Sequence, residues 1–410
     1  MAHRADAGQA SGVTATRVAL AAAAVAALGL GAWLAFGRSS GSPPPTAADE
    51  LQALERVGRT GPVAEAGVSP SGVGWAMNGI GLWLTSDGGT HWRTTSPSVP
   101  GGDVVARVCE VDFVDSAHGW ISGCDFIGDV FRNGSDRYSA VERTTDGGRT
   151  WKVSAPDCAG CGGSLSFLDA KNGFALGGRP AHRLARTTDG GATWHVVGRA
   201  PFAGTIDFLD ASHGWGVTWD ARLFRTQDGG HAWRRVRFAP RGVLETEDMP
   251  QFYGAQNGVV AVRFRNAGSH LQRAAIYVTR DGGRTWTARP VPSGLELARV
   301  QWGTTGSLQF SAATPSAWFL WAGKKLWTTS DAGARWTRVG VRIGPDAVWN
   351  LTFTSPTAGW AILGVEHNSV PVLARTTNGG RDWTPLRPPV PKLPPVLPPP
   401  TPCASSCLRP

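Results

Sequence analysis

Seven side chains with acid–base or ligand capacity recur at one spacing: Asp87, Asp146, Asp189, Asp228, Asp281, Asp331 and Asn378. Each stands in the string Thr-x-(Asp/Asn)-(Gly/Ala)-Gly-x-x-Trp, with a threonine two residues before it, a glycine two after and a tryptophan five after. A carboxylate acts as general acid or base, nucleophile or hard-cation ligand when a second suitable group is fixed beside it. An acid repeated in one unvarying context has a different use. Its oxygens accept hydrogen bonds from backbone N–H groups a few residues on, and the glycines supply the positive φ of a tight turn. The threonine suits a strand end, and the tryptophan covers the turn with an apolar face. The pattern reads as seven turn organisers rather than seven catalytic acids.

A second periodic signal supplies the elements around these turns. Ahead of each string stands a small residue followed by an apolar one: Gly74-Trp75, Gly119-Trp120, Gly173-Phe174, Gly214-Trp215, Gly258-Val259, Ala317-Trp318 and Gly359-Trp360. Phe113, Phe167, Phe208, Phe252 and Phe353 each lie seven residues before that apolar residue. A hairpin folded about its centre sets Phe opposite Trp as a cross-strand aromatic pair. Each unit of roughly 40 to 50 residues then has four short strands, A to D, and such periods indicate propellers, solenoids or arrays. The expected fold is all-β, a seven-bladed propeller of four-stranded blades, with few exposed sheet edges.

The strings from Thr85 (Thr-Ser-Asp-Gly-Gly-Thr-His-Trp) and Thr144 (Thr-Thr-Asp-Gly-Gly-Arg-Thr-Trp) resemble the Asp-box of the bacterial neuraminidase repeat, BNR. Their alternation with Gly-Trp hairpins is similar to BNR-like propellers of the photosystem II stability/assembly factor type, and more distantly to sortilin and sialidases. The resemblance covers about residues 60–387 and implies a non-catalytic interaction scaffold. It implies no photosystem role, because it lies in repeats and not in a partner-specific segment, and a fold alone assigns no function.

Strand order places the A–B and C–D turns on one face of the ring and the B–C and D–A connections on the other. Two long elaborations fall on the second face. The first, from Cys124 to Tyr138, carries Asp125, Arg132, Asp136, Arg137 and Tyr138; the second, from Arg234 to Met249, carries Glu245 and Glu247. Long connections are functional or disordered more often than idle. Neither fits a calcium-loop or phosphate pattern, and no metal or cofactor is expected. Arg263 and Arg265, near the end of strand B in blade five, join Trp219 and Trp321 of blades four and six as candidates for the same face. There an arginine holds a carboxylate and a tryptophan stacks on a sugar. The alternative is that both tryptophans pack between blades.

The domain plan is a cytoplasmic segment 1–17, a transmembrane signal anchor or signal peptide 18–37, a linker 38–59, the propeller 60–387 and a Pro-rich tail 388–410. Val18 to Phe36 carries no charge, and at about 1.5 Å per residue it approaches the roughly 30 Å of a bilayer core. The expected location is the cell membrane, single-pass, with an extracytoplasmic propeller, or a secreted protein if the segment is cleaved. Six cysteines fall as near pairs, Cys109 with Cys124, Cys158 with Cys161 and Cys403 with Cys407, which suit disulfides in an oxidising compartment. In the first pair, a hairpin that faces Phe113 with Trp120 also faces Cys109 with Cys124. The tail through Pro402 favours extended polyproline II.

The net charge of +9 is spread along the chain. With export and no nucleotide-binding motif, nucleic acid is not an expected partner. An extracytoplasmic protein or an acidic wall polymer is. The leading expectation is a membrane-anchored, non-catalytic protein-interaction or assembly scaffold, followed by a carbohydrate or wall-polymer binding module. A sialidase-like glycosidase needs an arginine cluster and a tyrosine paired with an acid. Of Tyr138, Tyr253 and Tyr277, none stands in a recognisable sialidase arrangement.

Overall fold

The computed structural model describes residues 65–69, 72–77, 82–95, 107–124, 141–154, 161–177, 182–218, 222–238, 243–247, 249–265, 271–293, 295–298, 308–342, 347–364 and 372–388. These residues form seven antiparallel sheets within 65–95, 107–154, 161–199, 204–235, 243–298, 309–339 and 347–385. Six are four-stranded meanders in sequence order; the fifth has the same plan, with its first and last strands each split in two. The A strands of neighbouring blades touch, so strand A is innermost and strand D forms the outer edge. The chain is an all-β, seven-bladed propeller. Its predicted membrane segment, 18–37, lies outside the described residues, among which no helix is long and apolar enough to cross a membrane.

The core is divided into seven apolar clusters, one at each seam between adjacent blades. Register explains how the repeated residues feed them. Strand A pairs with strand B so that Phe113 faces Gly119 and Asp112 faces Trp120; Phe208 faces Gly214 and Asp207 faces Trp215. This corrects the expected Phe–Trp pairing by one residue, and the glycine is the physical reason. A Cβ on Gly119 would lie 2.4 Å from the Phe113 ring, so the phenyl ring occupies the place of a side chain. The one-residue offset also puts Phe and Trp on opposite faces of the sheet, because side chains alternate.

Each face then meets a different neighbour. Trp120 of blade two stacks on Phe167 of blade three with ring centroids 3.5 Å apart and planes 6° from parallel. Phe174 on Phe208 (3.6 Å) and Phe319 on Phe353 (3.5 Å) repeat the contact at later seams. The Asp-box tryptophan of the same blade closes on the phenylalanine edge-on, as Trp194 does on Phe167 at 5.8 Å. Aromatic pairs of these geometries add about 0.5 to 1.5 kcal/mol each beyond burial.

Among the described residues no strand is exchanged between the first and last blades. The ring closes through side chains instead: Asn350 Nδ2 donates to Ala66 O (3.3 Å), Arg375 Nη1 donates to Gly88 O (2.8 Å), and Trp360 packs in one cluster with Ala66, Ala76 and Trp83.

The Cys109–Cys124 register is likewise corrected. Val108 faces Gly123 and Glu110 faces Ser122, leaving Cys109 as the extra residue of a β-bulge, and Cys124 faces Arg107. A bulge inserts one residue on one strand and so breaks the equal-sum pairing. The cysteine side chains lie outside the described residues.

Candidate functional site

At each Asp-box the threonine, not the acid alone, is the hub. In blade three the Thr187 hydroxyl donates to Asp189 Oδ1 (2.8 Å) and accepts from the Gly191 N–H (2.8 Å), while Asp189 Oδ1 also accepts from the Thr193 N–H (2.9 Å). Gly190 and Gly191 have φ of 71° and 84°, which only glycine adopts readily. The seventh box shows that charge is dispensable: Asn378 Oδ1 takes the Thr376 hydroxyl (3.1 Å) and the Asp382 N–H (3.0 Å), and its amide donates to Asp382 Oδ2 (2.8 Å). The boxes are structural turns.

Hydrogen bonds from the Thr193 hydroxyl and N–H hold the Asp189 carboxyl at about 2, and those from Thr285 do the same for Asp281, against an ordinary 3.8. A carboxyl with a folded pKa below its unfolded one stabilises the fold above the unfolded value, and that contribution is lost as pH falls through the folded value. The thermal midpoint is therefore expected to hold down to about pH 4 and to fall between about pH 4 and 2. Asp189→Asn should flatten that acid-side fall, whereas Asp189→Ala should cost about 1 kcal/mol at neutral pH, read from a urea midpoint.

A second set of turn acids escaped the sequence reading. Asp115 Oδ1 accepts from the N–H groups of Ala117 and His118, both at 2.7 Å, and its carboxylate meets His118 Nδ1. Asp169 with Asn172 and Asp210 with His213 repeat this at their A–B turns. The available signal was an acid three residues before His or Asn and four before the repeated glycine. Both turn types share one rim, because the Gly147 N–H donates to Ala117 O (2.8 Å) and Gly190 to Lys171 O (2.7 Å).

The boxes also latch neighbouring blades. Gly148 O accepts from the Thr95 hydroxyl (2.9 Å) and Arg93 Nη1 (2.8 Å) of blade one, and Trp194 Nε1 donates to the Ser154 hydroxyl (2.9 Å) of blade two.

The innermost strands carry a buried polar girdle that the sequence reading did not foresee. Glu110 Oε2 accepts from the Leu165 N–H (2.7 Å) and Asp112 Oδ2 from the Phe167 N–H (2.8 Å), across the seam from blade two to blade three. Ser164 and Ser166 accept from Ile206 and Phe208 of blade four, Gln251 from Ala312, and Ser311 from Phe353. A strand A has no partner strand on its inner side, and an unpaired buried N–H is costly. The preceding blade supplies the missing acceptor at these seams.

Among the described residues, blade five carries the longest strands toward the opposite rim. Its strands B (Asn257–Arg265) and C (Leu271–Thr279) each run nine residues, against four to six in the B and C strands of the other blades. Val243–Glu247 pairs with the end of strand B, and Glu296–Ala298 pairs with the start of strand C. Three extra residues at about 3.3 Å each carry this sheet roughly 10 Å past its neighbours. The expected loop from Arg234 to Met249 is thus partly strand, and the register sets Thr246 opposite Arg263 and Val243 opposite Arg265, with Glu245 at a bulge and Glu247 opposite Val262. Four sequence candidates from two separate segments meet in one strand pair.

The other candidates do not join them. Trp321 is buried at the seam between blades six and seven, 5.9 Å from Trp383 by ring centroid, with Nε1 donating to Gly323 O (3.0 Å). Packing between blades is therefore its place, and its ring is closed to a ligand on this surface. Trp219, Asp125, Arg132, Asp136, Arg137 and Tyr138 lie outside the described residues.

Residues 163–330 match the family model of the photosynthesis system II assembly factor YCF48. Over those residues the BNR-repeat β-propeller is similar to that factor. The match covers less than half of this chain, from strand A of blade three into blade six. Among solved structures it is similar to YCF48 bound to D1 peptide (20% identity, 70% of this chain and 86% of that one, TM-score 0.44). It is similar to YCF48 from Cyanidioschyzon merolae (18% identity, 70% and 87%, TM-score 0.45). An ancestral GH74 enzyme shares the fold at 14% identity over 79% of this chain and 46% of that one, with a TM-score of 0.51. No curated protein matches the BNR propeller in sequence.

The tyrosine chemistry of the propeller is consistent with packing. Burial pushes the Tyr253 hydroxyl well above its usual range, and that hydroxyl donates to Ala312 O across the seam between blades five and six. Burial also raises Tyr277. Among the described residues no three His, Cys, Asp or Glu side chains gather as a metal site.

Proposed function

We propose that the chain is an exported, membrane-anchored, non-catalytic scaffold that holds a protein partner on the rim opposite its Asp-boxes. The observation that carries this reading is the lengthened blade five, whose extended strand B carries Arg263 and Arg265 in register with the segment of Glu245 and Glu247. The match to the model of an assembly factor supports the same class. A projecting sheet offers a shape to dock against, and mixed charge at its end selects a complementary protein surface.

The anchor at 18–37 and disulfides at Cys109–Cys124, Cys158–Cys161 and Cys403–Cys407 belong to the same proposal. Protease added to intact cells should then degrade the propeller, and thiol alkylation before reduction should label none of these cysteines.

Proximity labelling with the tethered protein tests the scaffold role. Proteins enriched around the native chain should fall about tenfold with Arg263→Ala plus Arg265→Ala, as for loss of a charged contact worth about 1.4 kcal/mol. An unchanged set would overturn the site. Binding on a glycan array that the same substitutions abolish would transfer the site to a carbohydrate-binding module.

A further inference from the structure

The seam between blades four and five gathers three arginines around one carboxylate that is already in use. Trp215 faces Arg225 and Arg225 faces Arg234, so the three form one row across strands B, C and D of blade four, on the side turned to blade five. The Asp-box of blade five closes on that row: a Cβ on Gly283 would lie 2.2 Å from the Trp215 ring, and Arg284 is the next residue. At three other seams an arginine of the corresponding row is committed to the next box, Arg375 Nη1 to Gly88 O (2.8 Å), Arg143 Nη1 to Asp189 O (3.4 Å) and Arg93 Nη1 to Gly148 O (2.8 Å). Arg225 holds no such oxygen. Its Nη1 is closed to water without an acceptor, and no atom of it lies within 4 Å of the Cβ position of Gly282, whereas Arg375 Nη1 lies 3.1 Å from that of Gly88.

The carboxylate is Asp281. Its Oδ1 accepts from the Thr279 hydroxyl (2.8 Å) and from the N–H groups of Arg284 and Thr285 (both 2.9 Å), and its Oδ2 from the Thr285 hydroxyl (2.6 Å), so its own turn occupies it. Among the described residues the guanidiniums of Arg225, Arg234 and Arg284 make neither a hydrogen bond nor an ion pair. Burial lowers the Arg225 pKa below the ordinary arginine value, and the charges of Arg284 and Arg234 lower it further. Like charges so placed repel, and a buried donor without an acceptor costs free energy. An anion set among the three relieves both. A carboxylate carries one charge and is satisfied by one two-pronged arginine, whereas a phosphate dianion presents enough oxygens to meet each guanidinium. Arg225 is half-buried in the seam, which favours a terminal phosphate over a diester flanked by chain on both sides.

We propose that this seam binds the terminal phosphate of a soluble phosphate monoester, held by Arg225, Arg234 and Arg284 at the Asp-box end of blades four and five. Calorimetric titration of the full-length chain with inorganic phosphate at fixed ionic strength tests this. Binding should saturate, and Arg225→Gln or Arg284→Gln should each weaken it about tenfold, as for loss of one charge-assisted hydrogen bond. Arg335→Gln, in the box of blade six, should leave it unchanged. Dimethyl phosphate, with one charge fewer, should bind about tenfold more weakly than phosphate. A second readout is the thermal midpoint: without phosphate Arg284→Gln should raise it by relieving repulsion, and added phosphate should raise the midpoint of the native chain but not that of the variant. Absence of saturable binding overturns the proposal, as does binding that Arg225→Gln and Arg284→Gln both retain. Equal binding of dimethyl phosphate overturns the monoester. If Arg225→Gln fails to fold, Arg284→Gln decides alone, because Arg284 is exposed and its guanidinium holds no contact in the fold. These substitutions leave Arg263 and Arg265 in place, so failure here is distinct from failure of the partner site of blade five.

Discussion

Phe167→Ala should produce a large loss of stability, about 3 to 5 kcal/mol, because a buried phenyl ring leaves a cavity that its surroundings fill only in part. The ring is 4% exposed and has three separate duties. It stacks on Trp120 of the preceding blade, meets Trp194 edge-on and covers Gly173. One substitution therefore opens the seam between blades two and three and uncovers the hairpin of blade three. Single domains hold about 5 to 15 kcal/mol in all, so the urea midpoint should fall steeply. A change equivalent to less than about 1 kcal/mol would mean that the seam does not depend on this stack.

Gly173→Val should be costly from the opposite side. A Cβ at Gly173 would meet the Phe167 ring at 2.3 Å, and the ring cannot retreat because Trp120 lies stacked behind it with centroids 3.5 Å apart. Overfilling a packed site of this kind costs about 1 to 3 kcal/mol or more. The two positions share one volume, so their effects should not add. In the Phe167→Ala background the valine should cost little, giving a coupling of about 1 to 3 kcal/mol in a double-mutant cycle. Additive losses would show that glycine is kept there for another reason.

The hairpin shows how far the sequence could be read. Spacing of Phe113 and Trp120 correctly placed a turn between them, yet the symmetric pairing was wrong by one residue. The glycine before Trp120 is the clue: a ring on strand A needs an empty site opposite it. The bulge at Cys109 left no comparable mark, because either register satisfies the same local alternation of side chains. The candidate site was legible only in pieces. Arg263 and Glu245 are far apart in sequence, and no local pattern announces that the segment before blade five will pair with the end of its strand B. Trp321 was ambiguous for the converse reason, since a tryptophan at a strand end has the same signature whether it faces solvent or a neighbouring blade.

The seven boxes, the four-strand unit and the choice of one rim for both turns follow from the sequence alone, because turn chemistry and alternation act over a few residues and repeat visibly. Only the tertiary structure decided which groups meet across the seams: the acceptors of Glu110 and Asp112 for the inner edge of blade three, the stacked rings, and the lengthened blade five. Those contacts depend on how one blade is set against the next, and that setting arises from packing between complete sheets rather than from any string within one.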